Sequence, residues 1–328
     1  MAEVEDSFVG CLIGLAVGDA LGMSVEGLSQ EERGTAFGYL TDYRDSSSHP
    51  RHKTPLQRGQ YTDDTQLSLA TVDSLLESPT ISFSDMARRF AELYKSGELR
   101  RAGYATQQAC KRLNQGYSWE ESGTKNAEGC GPATRITPLA LVVPYLGMKD
   151  ISDLVDHGTE ITHDSLVARQ GAAVVFNGVY TLAGKPDYFE RTTIVEFIQK
   201  LADTTVRMVP KGSSDTRMYD RLMRLNVLWQ GEPEVVFPQI GTSGHSLETV
   251  PAALYAFLRT PNNFEQAVLT AINAGGDTDS IGAITGAIAG AFNGGNAIPL
   301  RWRVNLENYG IILEKAQQLY RSFAERHP

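Results

Sequence analysis

The sequence predicts an all-α fold. Apolar residues recur at helical spacing along most of the chain, whereas the alternation of apolar and polar residues that marks strands is scarce. The apolar segments are also joined by short connections, as is typical of helices packed on helices. The best candidate for a strand is the short segment 235–237, which contains two valines and a phenylalanine.

The first predicted helix covers residues 8–21, and its glycines recur at every fourth residue. A helix that begins near residue 280 repeats this spacing, and the glycines of the two stripes are Gly10, Gly14, Gly18, Gly22, Gly282, Gly286, Gly290 and Gly294. Residues four apart lie on one face of a helix, so each stripe allows another helix to approach very closely. We expect these two helices to pack tightly against each other or against neighbours in the core.

The same periodicity predicts further helices at 83–96, 104–113, 138–145, 151–159, 165–183, 191–202, 218–229, 246–258, 263–274 and from 317 or earlier to 326. Two segments between helices, 41–60 and 123–137, are predicted to be loops. The first loop is polar and locally basic, with Arg44, Arg51, Lys53 and Arg58. Because it leads directly into an acidic motif, it could serve as a lid.

Two acidic motifs lie more than two hundred residues apart, and each opens a predicted helix. The first consists of Thr62, Asp63, Asp64 and Thr65, and the second of Gly275, Gly276, Asp277, Thr278, Asp279 and Ser280. Thr62 is expected to cap the first of these helices, and carboxylates favour the positive end of the helix dipole. For either motif taken alone, good first-turn residues are a sufficient explanation.

The repetition favours a shared metal site instead. Adjacent carboxylates repel each other, so a fold that gathers four of them needs a cation between them or full exposure to water. Each motif offers two carboxylates and a hydroxyl, a hard oxygen set that suits Mg²⁺ or Mn²⁺ better than zinc. The sequence therefore predicts a dinuclear metal site between the two motifs.

A shared site also bears on domain organisation. The 328 residues, 41% of them hydrophobic, can bury a large core, and length alone would allow one domain or two. If residues near 63 and 278 share a site, the first and last thirds of the chain must pack together. We therefore expect a single domain over residues 1–328.

Net charge limits the classes of binding partner that fit this sequence, and cysteine content indicates the cellular compartment. The formal net charge of −9 argues against nucleic acid or an anionic membrane as the main partner, although a small phosphate-bearing ligand remains compatible with it. The three cysteines lack a CxxC spacing, which favours a reducing compartment, the cytoplasm by default. The N-terminus is acidic and no apolar run reaches the ~18 residues of a membrane helix, so no targeting or membrane segment is expected.

Six stretches, in a fixed order, form a more specific signature than either acidic motif alone. They are Gly14-Leu-Ala-Val-Gly-Asp-Ala-Leu-Gly22 with Glu26 after it, Tyr61-Thr-Asp-Asp-Thr65, Gly129-Cys-Gly-Pro-Ala-Thr-Arg-Ile-Thr-Pro138, Thr162-His-Asp-Ser165, Thr249-Val-Pro-Ala-Ala-Leu-Tyr-Ala-Phe257 and Asn273-Ala-Gly-Gly-Asp-Thr-Asp-Ser280. On these stretches, and over nearly its whole length, the chain resembles the ADP-ribosylglycohydrolase family. This family includes the dinitrogenase-reductase-activating glycohydrolase and the vertebrate ADP-ribosylarginine and ADP-ribosylserine hydrolases.

The resemblance implies a compact all-α fold with two Mg²⁺ or Mn²⁺ ions at the bottom of a cleft. The implied metal ligands are Thr62, Asp63, Asp64, Asp277, Asp279 and Ser280. Such ions can hold the vicinal hydroxyls of the ribose beside the scissile bond and lower the pKa of a water that attacks its anomeric carbon. Glu26 is implied to contact metal or substrate. Carboxylates can also stabilise the oxocarbenium character that develops, and the implied catalytic residues are Glu26, Asp63, Asp64, Asp277 and Asp279.

The resemblance also implies a substrate-binding wall. The backbone of Gly129 and Gly131 can approach a diphosphate or a ribose closely. His163 is implied to face the substrate, although a capping or hydrogen-bonding role would also explain it. An asparagine commonly stands in the family at the position of Cys130, which puts a side-chain contact there in doubt. Asp19 is expected to support the metal ligands or to cap an adjoining turn.

The function that the resemblance implies is metal-dependent hydrolysis that releases ADP-ribose from a modified protein side chain. Arginine is the first choice of acceptor, with serine or another O-linked acceptor as the alternative, since both reactions cleave the same anomeric carbon. The implied partners are an ADP-ribosylated protein and free ADP-ribose. A non-catalytic ADP-ribose-binding or structural protein is a further alternative, against which the retention of all the acidic residues argues.

Overall fold

The computed structural model describes residues 2–51, 54–78, 80–148, 151–211 and 213–324, which fold mostly into α-helices. The first helices are α1 (Ala2–Gly22), α2 (Gln30–Phe37), α3 (Asp63–Glu77), α4 (Phe83–Lys95), α5 (Tyr104–Asn114), α6 (Trp119–Ser122), α7 (Gly131–Arg135), α8 (Thr137–Val142) and α9 (Ser152–Glu160). They are followed by α10 (Leu166–Leu182), α11 (Tyr188–Arg191), α12 (Ile194–Arg207), α13 (Arg217–Leu228), α14 (Pro233–Ile240), α15 (Ser246–Arg259), α16 (Phe264–Ile272), α17 (Thr278–Asn293), α18 (Leu300–Arg303) and α19 (Tyr309–Phe323). Strands β1 (Thr124–Lys125) and β2 (His163–Asp164) form a short parallel pair, and 3₁₀ turns occur at Val143–Tyr145 and Gly295–Ala297.

The all-α prediction is confirmed, and most of the predicted helices are present with small shifts at their ends. The last predicted helix begins earlier, as α19, and its predicted end at residue 326 lies outside the described residues. None of the described helices combines the length and apolar content needed to cross a membrane. The assignment of residues 1–328 to one domain stays a prediction.

The strand predicted at 235–237 is wrong, because this segment belongs to α14. Pro233 lies in the first turn of that helix, where its fixed φ and missing N–H are tolerated. Val236, Phe237 and Ile240 are then buried against the core. Packing of this helical face therefore outweighs the strand propensity of valine and phenylalanine.

The loop predicted at 123–137 is partly wrong, because it contains β1 and α7. Pro132 lies in the first turn of α7, and the helix is buried almost throughout. The periodicity also does not predict α2, which buries none of its residues. Ser29 and Glu32 form a capping box at the start of α2, a local signal that hydrophobic spacing cannot detect.

Helices α1 and α17 pack along their glycine stripes, as predicted. The stripes meet in the pairs Gly10 with Gly290, Gly14 with Gly286 and Gly18 with Gly282. A Cβ atom at any of these positions would overlap a carbonyl oxygen of the partner helix, so backbone packs directly on backbone. This packing joins the first described helix to one that begins at residue 278.

Helix α1 thereby reaches the start of both helices that carry acidic motifs. Near its end, the carbonyl of Gly22 accepts a 2.9 Å hydrogen bond from the hydroxyl of Thr278, at the first turn of α17. One turn earlier, Asp19 contacts the first turn of α3. The position of α1 therefore sets the distance between the two motifs.

Candidate active site

Helix α3 is capped from outside its own sequence by Asp19, which is buried. The Asp19 carboxylate accepts hydrogen bonds from the N–H groups of Thr62 and Thr65, at 3.0 Å each, and from their hydroxyls at 2.9 and 2.6 Å. Thr62 occupies the N-cap position, but the expectation that its side chain caps the helix is wrong, because the hydroxyl donates to Asp19. The two oxygens of a carboxylate can accept all four hydrogen bonds, whereas a hydroxyl oxygen cannot. Asp19 therefore holds the turn that carries Asp63 and Asp64.

Helix α17 begins after a turn that only glycine adopts readily. Gly275 and Gly276 both have a φ of 76°, in the left-handed region. The N–H of Gly276 donates to the carbonyl of Leu28 at 2.7 Å, and the N–H of Asp277 donates to that of Thr242 at 2.7 Å. These bonds tie the start of α17 to the segment after Glu26 and to the loop before α15.

The two acidic motifs meet at Asp64. The hydroxyl of Ser280 donates to Asp64 Oδ2 at 2.8 Å, across 216 residues of sequence. The hydroxyl of Thr134, in α7, donates to Asp64 Oδ1 at 2.9 Å. Both oxygens of this carboxylate are therefore held in place by hydroxyl donors from two other helices.

Glu26 lies beside the second motif. Carboxylate oxygens of Glu26, Asp277 and Asp279 lie within 4.8 Å of one another, near enough to bind one cation together. The Arg101 guanidinium lies 3.5 Å from Glu26 Oε2 and donates to the carbonyl of Met23 at 2.6 Å. The acidic cluster, defined here as Glu26, Asp63, Asp64, Asp277 and Asp279, offers only oxygen ligands, which is the chemistry that fits Mg²⁺ or Mn²⁺.

Burial raises the pKa of every carboxyl in the acidic cluster, and for most of them the charges of neighbouring acids raise it further. The pKa of Asp64 rises to about 7, through burial and then Asp279. The pKa of Glu26 rises to about 10, through burial and then Asp279 and Asp277. Without cations the cluster therefore holds protons near neutral pH, and divalent cations are the natural replacement for those protons.

The acidic cluster lines a cavity of about 220 Å³. The cavity is also lined by Arg101, Gly103, Tyr104, Ala105, Thr106, Gly129, Cys130, Gly131, His163, Gly244 and Ser280. The first turn of α5 thus forms part of the wall, and its N–H groups have no carbonyl partner within the helix. Tyr104, in this turn, is 74% exposed and lies at the mouth.

The glycine-rich wall is held by two loops that pair with each other. Gly129 and His245 form an antiparallel bridge, and the Cys130 N–H donates to the carbonyl of Gly244 at 3.1 Å. The Cys130 thiol donates to Asp277 Oδ2 at 3.1 Å. Burial raises the pKa of Cys130 well above its usual value, so the sulfur keeps the proton for this bond. The cysteine therefore contacts the acidic cluster directly.

His163 lies in the wall beside Gly129 and Gly131. Its Nδ1 is 2.7 Å from the hydroxyl of Thr162, and burial lowers its pKa to about 3, so the imidazole is neutral. The cap of α10 is Ser165, whose hydroxyl accepts from the backbone of that helix, so capping does not explain His163. The structure instead places His163 at the cavity.

The residues predicted for catalysis and substrate binding all line this one cavity, as does Ser280, whereas Thr62 does not. The sequence does not indicate Arg101 or the first turn of α5, because neither lies in a recognisable motif. Thr134 lies within one of the six quoted stretches, but nothing local marks it as a partner of Asp64. The described part of loop 41–60 does not line the cavity, and His49 Nε2 instead lies 2.9 Å from the backbone carbonyl of Glu26. Its role as a lid stays a prediction.

A sequence model of the ADP-ribosylglycohydrolase family matches residues 1–328. The chain belongs to this family. It is 31% identical over 317 residues to an uncharacterized protein of Archaeoglobus fulgidus, with 97% of each chain covered. It is also 27% identical over 350 residues to ADP-ribosylhydrolase ARH3 of Gallus gallus, covering 97% of this chain and 94% of that one. For ADP-ribosylhydrolase ARH3 of Homo sapiens the identity is 26% over 341 residues, with 96% and 93% covered.

A solved structure agrees with this family membership. The protein described as an ADP-ribosylglycohydrolase-related protein complex superposes with a TM-score of 0.76 and 28% identity, covering 98% of this chain and 99% of that one. The all-α fold of the family is therefore shared by this chain. Membership also places the chain among glycohydrolases that act on ADP-ribosylated substrates.

Proposed function

We propose that this protein hydrolyses the bond between ADP-ribose and a modified protein side chain, with the help of two Mg²⁺ or Mn²⁺ ions. The observation that carries the proposal is the hydrogen bond from Ser280 to Asp64, because it joins two distant acidic motifs in one cavity. Relatives named ADP-ribosylhydrolase ARH3 support the choice of ADP-ribose.

The proposed metal ligands are Thr62, Asp63, Asp64, Asp277, Asp279 and Ser280. The hydroxyls of Thr62 and Ser280 both donate their protons to carboxylates, so their oxygen lone pairs remain available to a cation. Bound ions would supply Lewis-acid chemistry, namely a water of lowered pKa and a hold on vicinal ribose hydroxyls. Asp19 and Thr134 act behind these ligands by fixing α3 and Asp64.

The acidic cluster is proposed to stabilise the transition state. Cleavage at the anomeric carbon builds positive charge on the ribose, and carboxylates fixed in a buried site stabilise that charge without having to reorganise. Asp64 is suited to this role because two hydroxyls hold it. Glu26 is proposed to contact metal or ribose from the other side of the cavity, with Arg101 holding its carboxylate.

The walls of the cavity suit the rest of ADP-ribose. Its volume of about 220 Å³ is below the ~300–1,000 Å³ of sites that enclose a drug-sized ligand, so only part of ADP-ribose is enclosed. The first turn of α5 and the backbone of Gly129 and Gly131 are proposed to donate N–H groups to the diphosphate. Arg101 adds positive charge to a cavity whose other charged lining residues are acids.

The same charges favour an uncharged acceptor. Among the described residues, every acid that lines the cavity belongs to the acidic cluster, and the other charged lining residue is Arg101. An arginine acceptor would bring a second guanidinium near Arg101 without a spare acid to pair with it. We therefore propose serine or another O-linked acceptor, and arginine, the first choice from sequence, becomes the alternative.

The test is release of free ADP-ribose from matched serine-linked and arginine-linked peptides, with Mg²⁺, with Mn²⁺ and with a chelator. Asp64→Asn removes a proposed ligand, and Glu77→Gln on the same helix is the matched control, because its carboxylate is 75% exposed. We expect metal-dependent release from the serine-linked peptide, loss of at least ~10²-fold in Asp64→Asn, and normal release in Glu77→Gln.

Each other outcome has a distinct meaning. Preferential release from the arginine-linked peptide would reverse the choice of acceptor but keep the hydrolase. Release that survives the chelator would overturn the metal assignment. Binding of ADP-ribose without release from either peptide would establish the non-catalytic alternative.

A further inference from the structure

A buried arginine lies behind the histidine of the cavity wall. The side chain of Arg135, at the end of α7, is buried, and its Cζ lies 5.5 Å from the centre of the Phe90 ring. Its Nη2 donates to the hydroxyl of Thr162, which in turn lies 2.7 Å from Nδ1 of His163. These three side chains form a continuous line from the core to the cavity.

The arginine fixes the direction of the hydrogen bonds along this line. A guanidinium has donors but no acceptor, so the Thr162 oxygen must accept from Arg135. The Thr162 hydroxyl is completely buried, and its proton has no acceptor other than His163 Nδ1 among the described residues. If Nδ1 carried a proton instead, the Thr162 proton would be buried without a partner, which is costly. Nδ1 therefore accepts, and in a neutral imidazole the proton lies on Nε2.

The Nε2 edge of His163 faces the cavity wall. A Cβ atom on Gly129 would lie 3.0 Å from His163 Nε2, and one on Gly131 would lie 3.6 Å from its Cε1. Nε2 has no hydrogen-bond partner among the described residues, although the ring is otherwise buried. At the cavity end, these hydrogen bonds leave one donor unsatisfied, the Nε2 N–H of His163, beside two glycines that also line the cavity. At the other end, Nε and Nη1 of Arg135 are buried and also lack partners among the described residues.

We propose that Arg135 and Thr162 are positioning residues that fix His163 as a hydrogen-bond donor, through Nε2, to an acceptor oxygen of the bound ligand. The identity of that ligand as ADP-ribose rests on the proposed function, whereas the direction of the hydrogen bonds from Arg135 through Thr162 to His163 does not. A ribose or phosphate oxygen can accept a hydrogen bond from this N–H. A ligand that places only an N–H group beside Nε2, or a hydroxyl whose oxygen already accepts its full number of hydrogen bonds, cannot.

The first test determines directly which ring nitrogen of His163 carries the proton. In protein labelled with ¹⁵N-histidine, two-bond ¹⁵N–¹H correlation spectra distinguish the two neutral imidazole forms, and loss of signals in His163→Gln assigns the ring. We expect an unprotonated Nδ1 and a protonated Nε2 in the wild-type chain. A protonated Nδ1, or a doubly protonated ring near neutral pH, would overturn the proposal whether or not the protein hydrolyses anything.

The second test removes the middle of the line. Thr162→Val keeps the shape and loses the hydroxyl, so we expect a mixture of imidazole forms and ADP-ribose affinity, measured by calorimetry with Mg²⁺, reduced about tenfold. Thr162→Ser should restore both. Thr159→Val is the matched control, because the Thr159 hydroxyl is also buried but has no hydrogen-bond partner in the described part of the chain. This control should change neither readout.

The outcomes separate this inference from the proposed function. Unchanged affinity and an unchanged histidine spectrum in Thr162→Val would refute the positioning role. If the predicted spectrum is found but no peptide is hydrolysed, the proposed function fails and the inference stands. If Thr162→Val does not fold, the wild-type spectrum and Thr162→Ser still decide the direction of the line.

Discussion

Gly18 and Gly282 lie so close together that a Cβ atom on either would overlap the carbonyl oxygen of the other. This contact is central to the α1–α17 pair, which positions both acidic motifs. Neither neighbour is the flexible end of a side chain, so an added methyl group can be accommodated only if the helices move apart.

Gly18→Ala is therefore expected to destabilise the protein by about 1–3 kcal/mol or more, even though alanine favours a helix over glycine by about 0.5–1 kcal/mol. The measurement is the free energy of unfolding from urea denaturation. Gly34→Ala in α2 is the control, because a Cβ atom there lies more than 4 Å from the atoms of other described residues outside its own helical backbone. The control should be neutral or slightly stabilising, and equal effects of the two substitutions would refute the packing argument.

Asp19→Asn is expected to impair both stability and catalysis. An amide offers one acceptor oxygen where the carboxylate offers two, so donors of Thr62 or Thr65 are left unpaired at about 1–3 kcal/mol each. Displacement of the first turn of α3 should also reduce kcat at least ~10-fold. Thermal unfolding and steady-state kinetics measure the two effects. Thr65→Val, which loses one hydroxyl, should have a smaller effect, and a destabilised Asp19→Asn with normal kcat would argue against the supporting role.

The metal-free protein is expected to lose stability as the pH rises. The pKa of Asp64 is raised by burial, and then by Asp279, from 3.8 to about 7, so the folded chain binds more protons than the unfolded chain between these values. The stability that this proton contributes is present below about pH 4 and is lost as the pH rises through 7. Glu26, with a pKa of about 10, extends the loss to higher pH.

Melting temperatures in chelator and in Mg²⁺, at pH 5.5 and pH 8, measure how protonation and metal binding affect stability. We expect Mg²⁺ to raise the melting temperature more at pH 8, because fewer protons compete for the acidic cluster. In chelator, the melting temperature of Asp64→Asn should fall less between pH 5.5 and pH 8 than that of the wild-type chain. A metal effect that is greater at pH 5.5 would contradict the assignment of the cluster as the metal site.

The three cysteines are expected to react slowly with thiol reagents in the folded protein. All three are buried, and burial raises the pKa of Cys11 and of Cys110 to about 12 and that of Cys130 well above 9.0. The reactive thiolate is therefore scarce at neutral pH. Ellman's reagent should detect three thiols in guanidinium and none within minutes in the native chain. A fast native thiol would show that Cys130 is accessible through the cavity.

The sequence predicts the helices well and makes the acidic motifs visible, because helical spacing and motifs both depend on residues that are close together in the chain. Helical spacing marks α4 and α15, and the glycine stripes indicate a close helix contact before any partner is known. The meeting of Asp64 with Ser280 is also foreseeable, since two repeated motifs of like charge invite a common site.

Other features of the site depend on distant contacts that no local pattern contains. The cap of α3 comes from Asp19, 43 residues before Thr62, so inspection of the helix start alone points to the wrong capping group. The place of Arg101 in the wall depends on tertiary packing rather than on a motif, and its φ of 53° is unusual for a residue with a side chain. The helix at 233–240 shows the opposite failure, in which packing outweighs a local propensity.

The pairing of α1 with α17 also governs when the site can form during protein synthesis. Gly22 is bonded to a residue that follows 256 positions later, and at ~5–20 residues per second a ribosome needs tens of seconds to reach it. Throughout that interval the glycine face of α1 lacks the helix that covers it, and a contact of such long range forms slowly even once both segments exist. The acidic cluster of the nascent chain therefore stays incomplete, and the glycine face of α1 stays uncovered, until α17 emerges.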